Sequence, residues 1–323
     1  MKKIFEFKKQ RNFDNIIEGS FKFFREHIKP ILIQTWKQNK LIITILLLSY
    51  FIYSFYATGS MLNDYFKIIF NQKDTMQLSN FFSNPIFITS YILVIIFSLV
   101  FIIKFTLIII GYIKIYVSDN GVVDENKLVN YVKNNFWSLA AAFFLYFLFT
   151  VFVFSLITLT IFGLVGTGKL GIFISILLGT FFLLYLIVFS SLYFQVYLLD
   201  EASITSSFKL TYQYLKNRFW FSLLVLLVLW IIILLLSSVF QAPIAIFTIS
   251  KGIMGISNTA AVEFSTTEKI ILSFFSVISL IGQNIIKILS IIGATILYFT
   301  LKEYHTQEGL LEKLEQIGQP NDD

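Results

Sequence analysis

Cysteine is absent from this 323-residue chain, histidine occurs twice and proline four times. Without cysteine there are no disulfides, no thiolate metal sites and no cysteine nucleophile. The histidines, His27 and His305, each lie in an amphipathic terminal segment and make no HExxH or other metal-ligand spacing. Both are read as ordinary interfacial residues. Charge is scarce as well: 14% of residues are charged and 57% hydrophobic, with a mean hydropathy of +0.78. Soluble domains carry about 25% charge, so this chain cannot cover itself with polar surface in water. It requires lipid. The 38 phenylalanines accompany an excess of Ile, Lys and Asn that reflects a coding bias toward A and T, so their number alone assigns no role.

Long apolar runs take the place of these missing features. Apolar stretches near 41–59, 86–117, 137–162, 170–199, 219–249 and 269–301 each reach the roughly 20 residues that cross a bilayer. The expected fold is therefore an all-α integral membrane protein of six transmembrane helices. It divides into a basic N-terminal tail (1–40), a membrane domain (41–301) and an acidic C-terminal tail (302–323). Several runs exceed the minimum and must tilt or project, and Pro243 is the expected kink in the fifth. The first run begins only at Leu41, with no small-residue cleavage site after it, so the N-terminus is expected to stay attached.

An even number of spans puts both ends on one side. That side carries eighteen Lys/Arg and the opposite loops five, so both termini are expected in the cytoplasm, with the protein in a bacterial inner membrane. Two connections on this side share a plan. Each leaves the membrane at a Tyr followed by Asp (Tyr116 and Asp119; Tyr197 and Asp200) and re-enters through Lys133-Asn134-Asn135-Phe136-Trp137 or Lys216-Asn217-Arg218-Phe219-Trp220. Lys133, Asn134, Trp137, Lys216, Asn217 and Trp220 are the expected interfacial anchors: Lys reaches headgroups, Asn caps a new helix after a bend, and Trp sits at the lipid boundary. The pattern predicts transmembrane hairpins, each preceded by an interfacial amphipathic helix. A third copy before the first span fits either Arg25–Lys29 or Trp36–Leu41.

Phe13, Ile16, Ile17, Phe21, Phe24 and Ile28 recur at steps of three and four, predicting a basic amphipathic helix in the N-terminal tail. Leu310, Leu311, Leu314 and Ile317 predict a smaller stripe in the C-terminal tail. The two tails carry +6 and −4, a complementarity that allows docking, although separate solvated faces are commoner. The preceding amphipathic helices, the repeated K-N-x-F-W entry and the closing Leu310-Leu-Glu-Lys-Leu-Glu-Gln-Ile-Gly318 together resemble bacterial multi-pass proteins related to the membrane domain of glycerophosphoryl diester phosphodiesterases. The resemblance implies a six-span architecture. Members with a hydrolase carry it as a separate soluble domain, and no such domain lies in this sequence.

Chemistry-bearing patterns are few. Gly163-Leu-Val-Gly-Thr-Gly-Lys169 lacks Walker spacing and joins two apolar runs, so it is read as a hairpin turn. All nineteen acidic residues fall outside the predicted spans, which disfavours an intramembrane acid–base pair. Two lysines lie inside spans. Lys104 is within snorkelling reach of headgroups, whereas Lys287 falls near the middle of the sixth span, where a charge costs about 2.5–3.5 kcal/mol. Ser276, Ser279, Gln283, Lys287, Ser290 and Ala294 recur at steps of three and four with Asn284 beside them, a polar and small-residue stripe expected to face inward or toward another protein. The bland reading is interhelical packing; the sharper one is a surface where Lys287 meets a lipid phosphate or a partner's carboxylate.

These patterns lead us to expect a non-enzymatic accessory or scaffold subunit of a membrane complex, such as protein-export or insertion machinery, with no cofactor and no metal. Its expected partners are membrane lipids and other integral membrane proteins. A ribosome or translocon contact through the basic face rests on charge alone, since no nucleic-acid motif is present. The alternative is a transporter or lipid-handling protein engaging an anionic substrate through Lys287, Gln283 and Asn284.

Overall fold

The computed structural model describes residues 4–58, 84–165, 169–257 and 264–307. Among them the chain is helical and contains no strand. The helices are α1 (Phe13–Ala57), α2 (Pro85–Ser118), α3 (Glu125–Val165), α4 (Lys169–Leu199), α5 (Ile204–Leu215), α6 (Phe219–Ser257) and α7 (Thr266–Thr306). All but α5 contain stretches long and apolar enough to cross a membrane, as expected of backbone that must satisfy its own hydrogen bonds in lipid. The protein is an all-helical, multi-pass membrane protein.

Local sequence starts these helices. Asn84 Oδ1 accepts the backbone N–H groups of Ile86 and Phe87 at 3.0 and 3.3 Å, and Pro85 fills the first helical position, where no N–H is needed. Asp124 Oδ1 caps α3 through Asn126 N–H at 2.7 Å. Ser203 caps α5 through Ser206 N–H at 3.2 Å. At α7, Glu268 Oε2 accepts from Ser265 N–H at 2.7 Å while Ser265 Oγ accepts from Glu268 N–H at 3.3 Å, a reciprocal capping box.

The helices are longer than the predicted spans. α1 has 45 residues, about 68 Å at ~1.5 Å per residue, against a hydrocarbon core of about 30 Å. The expected interfacial helices before the first and third spans are not separate elements: α1 and α3 run unbroken from tail or connection into the apolar segment. The expected bend at the anchor phrase is absent from α3, where Asn134 and Asn135 are helical and Asn135 donates to the Tyr131 carbonyl at 2.9 Å. Helix propagation costs less than a new nucleus and two fresh caps. Only the second copy breaks: α5 ends at Leu215, and residues 216–218 form a turn before α6. α6 continues past Pro243, as α1 does past Pro30.

The described residues form two compact units that are not consecutive in sequence. The first draws on Met1–Ile31, Thr106–Trp230 and Leu289–Asp323, the second on Leu32–Phe105 and Ile231–Ile288. In the first unit, Ile108, Ile109 and Ile110 of α2, Val196 of α4 and Ile292 and Ile296 of α7 are fully buried. The N-terminal helix face is rotated from its predicted stripe. Ile16, Ser20, Phe23 and Ile31 are the buried positions, whereas Phe21 is exposed. The small Gly19 and Ser20 sit where neighbours approach closely: a Cβ at Gly19 would lie 3.1 Å from the Phe5 ring. The segment before α1 is bound into the same core. Phe7 packs its ring on Phe23 and Phe299 with centroids 5.0 and 5.4 Å apart, and Phe5 N–H donates to Tyr116 Oη at 3.0 Å.

In the second unit, Phe264 and Leu272 are buried against Ile244 and Phe247. Lys251 Nζ pairs with Glu268 Oε1 at 2.9 Å. The 60–85 connection and the C-terminal stripe at 310–317 lie, apart from residues 84 and 85, outside the described residues, as do 166–168 of the Gly163–Lys169 connection.

Candidate functional site

In the first unit a polar cluster forms where α4 ends. The sequence signal for it is the Tyr-x-x-Asp exit, Tyr197 to Asp200. Asp200 Oδ1 accepts from Tyr298 Oη at 2.5 Å and from Lys302 Nζ at 3.0 Å, both on α7. Its Oδ2 lies 3.5 Å from Tyr214 Oη of α5. The Asp200 and Lys302 side chains are only 11% and 22% exposed, so this ion pair is far less screened than a surface one. One turn earlier on α4, the buried Gln195 Oε1 lies 3.0 Å from Thr295 Oγ1, which also contacts the Ile291 carbonyl at 2.7 Å.

Glu201 adopts a left-handed backbone conformation with φ of +52°, which turns the chain from α4 toward α5. Its carboxylate accepts from Lys114 Nζ at 2.6 Å, and the same ammonium donates to the Leu198 carbonyl at 3.1 Å. Tyr131 Oη also donates to that carbonyl, at 3.3 Å, and its ring lies under Lys114 at 5.3 Å. The last carbonyls of a helix lack helical partners; here Lys114 and Tyr131 both satisfy that of Leu198, and the lysine complements the negative end of the helix dipole. The hydrogen bond from Lys114 holds the Glu201 carboxyl below its ordinary pKa. Ser138 of α3 also bonds Tyr197. Both carboxylates in this cluster accept hydrogen bonds, so the arrangement clamps the α4–α5 turn onto α2 and α7.

The two histidines differ. His27 Nδ1 lies 2.9 Å from Tyr112 Oη and the ring stacks on Phe23 at 4.3 Å, so it is part of the core of the first unit. His305 is exposed beside the Tyr214 ring at 5.5 Å.

The anchor residues Lys133, Asn134, Trp137, Lys216, Asn217 and Trp220 are all exposed. The predicted stripe on α7 divides. Ser279 is buried; Ser276, Gln283, Asn284 and Ser290 are half-buried. Gln283 Nε2 donates to Ser279 Oγ at 2.9 Å and Asn284 Nδ2 to the Leu280 carbonyl at 2.8 Å, so these amides partly serve their own helix. Lys287 is exposed, and no hydrogen bond or ion pair joins it to another described residue. Lys104 is half-buried on α2. The structure thus keeps Gln283 and Ser279 together and leaves Lys287 facing outward. No group of three or more His, Asp or Glu that could hold a metal occurs among the described residues. Comparison with known proteins returns no matching family, no matching curated protein and no matching solved structure. Fold and sites define a multi-pass membrane protein, and its function is argued from these residues alone.

Proposed function

We propose that this protein is a non-enzymatic accessory or scaffold subunit of a bacterial inner-membrane assembly, with both termini in the cytoplasm. The observation that carries the reading is Lys287. It is an exposed cation on an apolar helix, without a partner among the described residues, and a charge so placed is retained when something outside the chain neutralises it. A carboxylate on a neighbouring transmembrane helix meets that need. Gln283 and Asn284, both half-buried on the same helix, supply amides at the edge of the contact. The clamped state of Asp200 and Glu201 supports the same reading, because their geometry fixes helix ends rather than presenting a reactive group. The excess of Lys/Arg on one side supports the orientation.

Purification from native membranes in a mild detergent tests the proposal. Wild type and Lys287→Arg are expected to retain a stoichiometric membrane partner, and Lys287→Met to lose it while unfolding at the same temperature. A wild-type protein that is always recovered alone, or a Met variant that keeps its partner, would overturn it. A transport role instead predicts that Lys287→Met stops the flux of an anionic solute in vesicles.

A further inference from the structure

The first unit holds a polar cavity that the function above does not use. Its volume is about 390 Å³, and it lies between the segment before α1 and the first turns of that helix. The segment contributes Glu6, Lys9 and Arg11; Asn15, Glu18 and Lys22, at steps of three and four, form the helical wall. Arg11 is 8% exposed, yet its three hydrogen bonds all go to backbone carbonyls, those of Phe7, Lys9 and Glu6. Its other neighbour is the Phe5 ring at 5.1 Å. No carboxylate forms an ion pair with it among the described residues, and two of its five N–H donors have no acceptor there. Burial lowers its pKa, and nearby Glu6 offsets this in part. A buried charge without a counterion is costly. The ammonium groups of Lys9 and Lys22 are exposed and also unpaired among the described residues. Phe5 N–H bonds Tyr116 near the end of the apolar run of α2, and Gln10 Nε2 donates at 3.1 Å to the Glu303 carbonyl just beyond that of α7. The cavity thus sits where two helices leave their apolar stretches, the level at which phospholipid heads lie.

We infer that this cavity binds the head of a phospholipid that carries one phosphate charge and hydroxyl donors, as phosphatidylglycerol does. Three cations against two carboxylates leave the wall with one positive charge, which a singly charged phosphodiester neutralises. Its oxygens accept from the free Arg11 N–H groups and from Lys9 and Lys22, the charge-assisted contacts that guanidinium and ammonium groups make with phosphate. The hydroxyls of the head donate to Glu18, whose carboxylate has no partner among the described residues. Ile4 and Phe5, which also line the cavity, suit the apolar start of the acyl chains. A zwitterionic head leaves the charge of the wall uncompensated, and a choline head has no donor for Glu18. The inference is independent of Lys287 and of any protein partner.

Full-length protein in phosphatidylcholine nanodiscs, titrated with phosphatidylglycerol carrying a photoactivatable diazirine at the glycerol end of one chain, tests it. Crosslinks are expected within 4–22, competed by unlabelled phosphatidylglycerol but not by inorganic phosphate at the same concentration. Lys22→Gln is expected to weaken this labelling about tenfold, the loss of one charge-assisted hydrogen bond. Lys29→Gln makes the same change in net charge two turns further along α1, outside the cavity wall, and is expected to leave labelling unchanged. Arg11→Gln is expected to weaken it at least as much as Lys22→Gln, which decides the matter if Arg11→Gln does not fold. Equal losses in Lys22→Gln and Lys29→Gln would reduce the site to general attraction by a basic surface. Labelling no stronger than that by an equally tagged phosphatidylcholine would remove the selectivity, and competition by inorganic phosphate would make this a site for a soluble phosphate. Each of these three results overturns the proposal.

Discussion

Asp200 illustrates why single side chains matter more here than their number suggests. In a chain with 14% charge, one carboxylate accepts from Tyr298 and Lys302 on α7 and faces Tyr214 on α5. Asp200→Asn keeps an acceptor for Tyr298 but removes the charge that pairs with Lys302, and is expected to cost about 1–3 kcal/mol, read as a lower unfolding temperature in detergent. Asp119→Asn is the control. Its pair with Lys127 at 2.6 Å is exposed, so no shift is expected. Glu201 supplies a pH signature. Its folded pKa lies below the ordinary 4.5 because Lys114 bonds its carboxylate. The stabilisation it gives is complete above the unfolded value and fades as pH falls below 4.5 through the lowered folded value. Subtracting the unfolding profile of Glu201→Gln from that of wild type is expected to leave a small difference at neutral pH that vanishes in acid and shrinks in high salt.

At the scale of elements, helix starts are encoded locally and helix continuity is not. Ser265-Thr-Thr-Glu268 reads directly as a capping box, and Asn84-Pro85 as a cap followed by a first-turn proline. Ser265→Ala is expected to destabilise by about 1 kcal/mol and to raise hydrogen exchange in the first turn of α7, with Glu268 still paired to Lys251. The two K-N-x-F-W phrases are nearly alike, yet one lies within α3 and the other follows a turn. The phrase itself does not decide between them. Asn135 bonds back to Tyr131 inside its helix, whereas Arg218 stacks over Tyr304 at 4.0 Å, a contact with a residue far away in sequence. The N-terminal stripe was misjudged for a similar reason. Counting apolar residues selected Phe21, but the buried face uses Gly19 and Ser20 to let Phe5 and α7 approach. Apolar counting overlooks small and polar residues that permit close packing.

For the whole molecule, the sequence alone determined that the chain is helical, where its six apolar segments lie and that they need lipid. Those properties follow from composition and run length, because hydrocarbon allows a backbone few other ways to satisfy its own polar groups. The sequence also marked Lys287 as unusual, since a cation in an apolar run is conspicuous whatever surrounds it. Tertiary structure alone decided which way that lysine faces, that Asp200 is held by Tyr298 and Lys302, and that the amide of Asn39 is buried without a hydrogen-bond partner. The two Asp200 contacts join residues 98 and 102 positions apart. No local periodicity encodes such meetings; they are fixed when helices choose neighbours by the fit of their side chains.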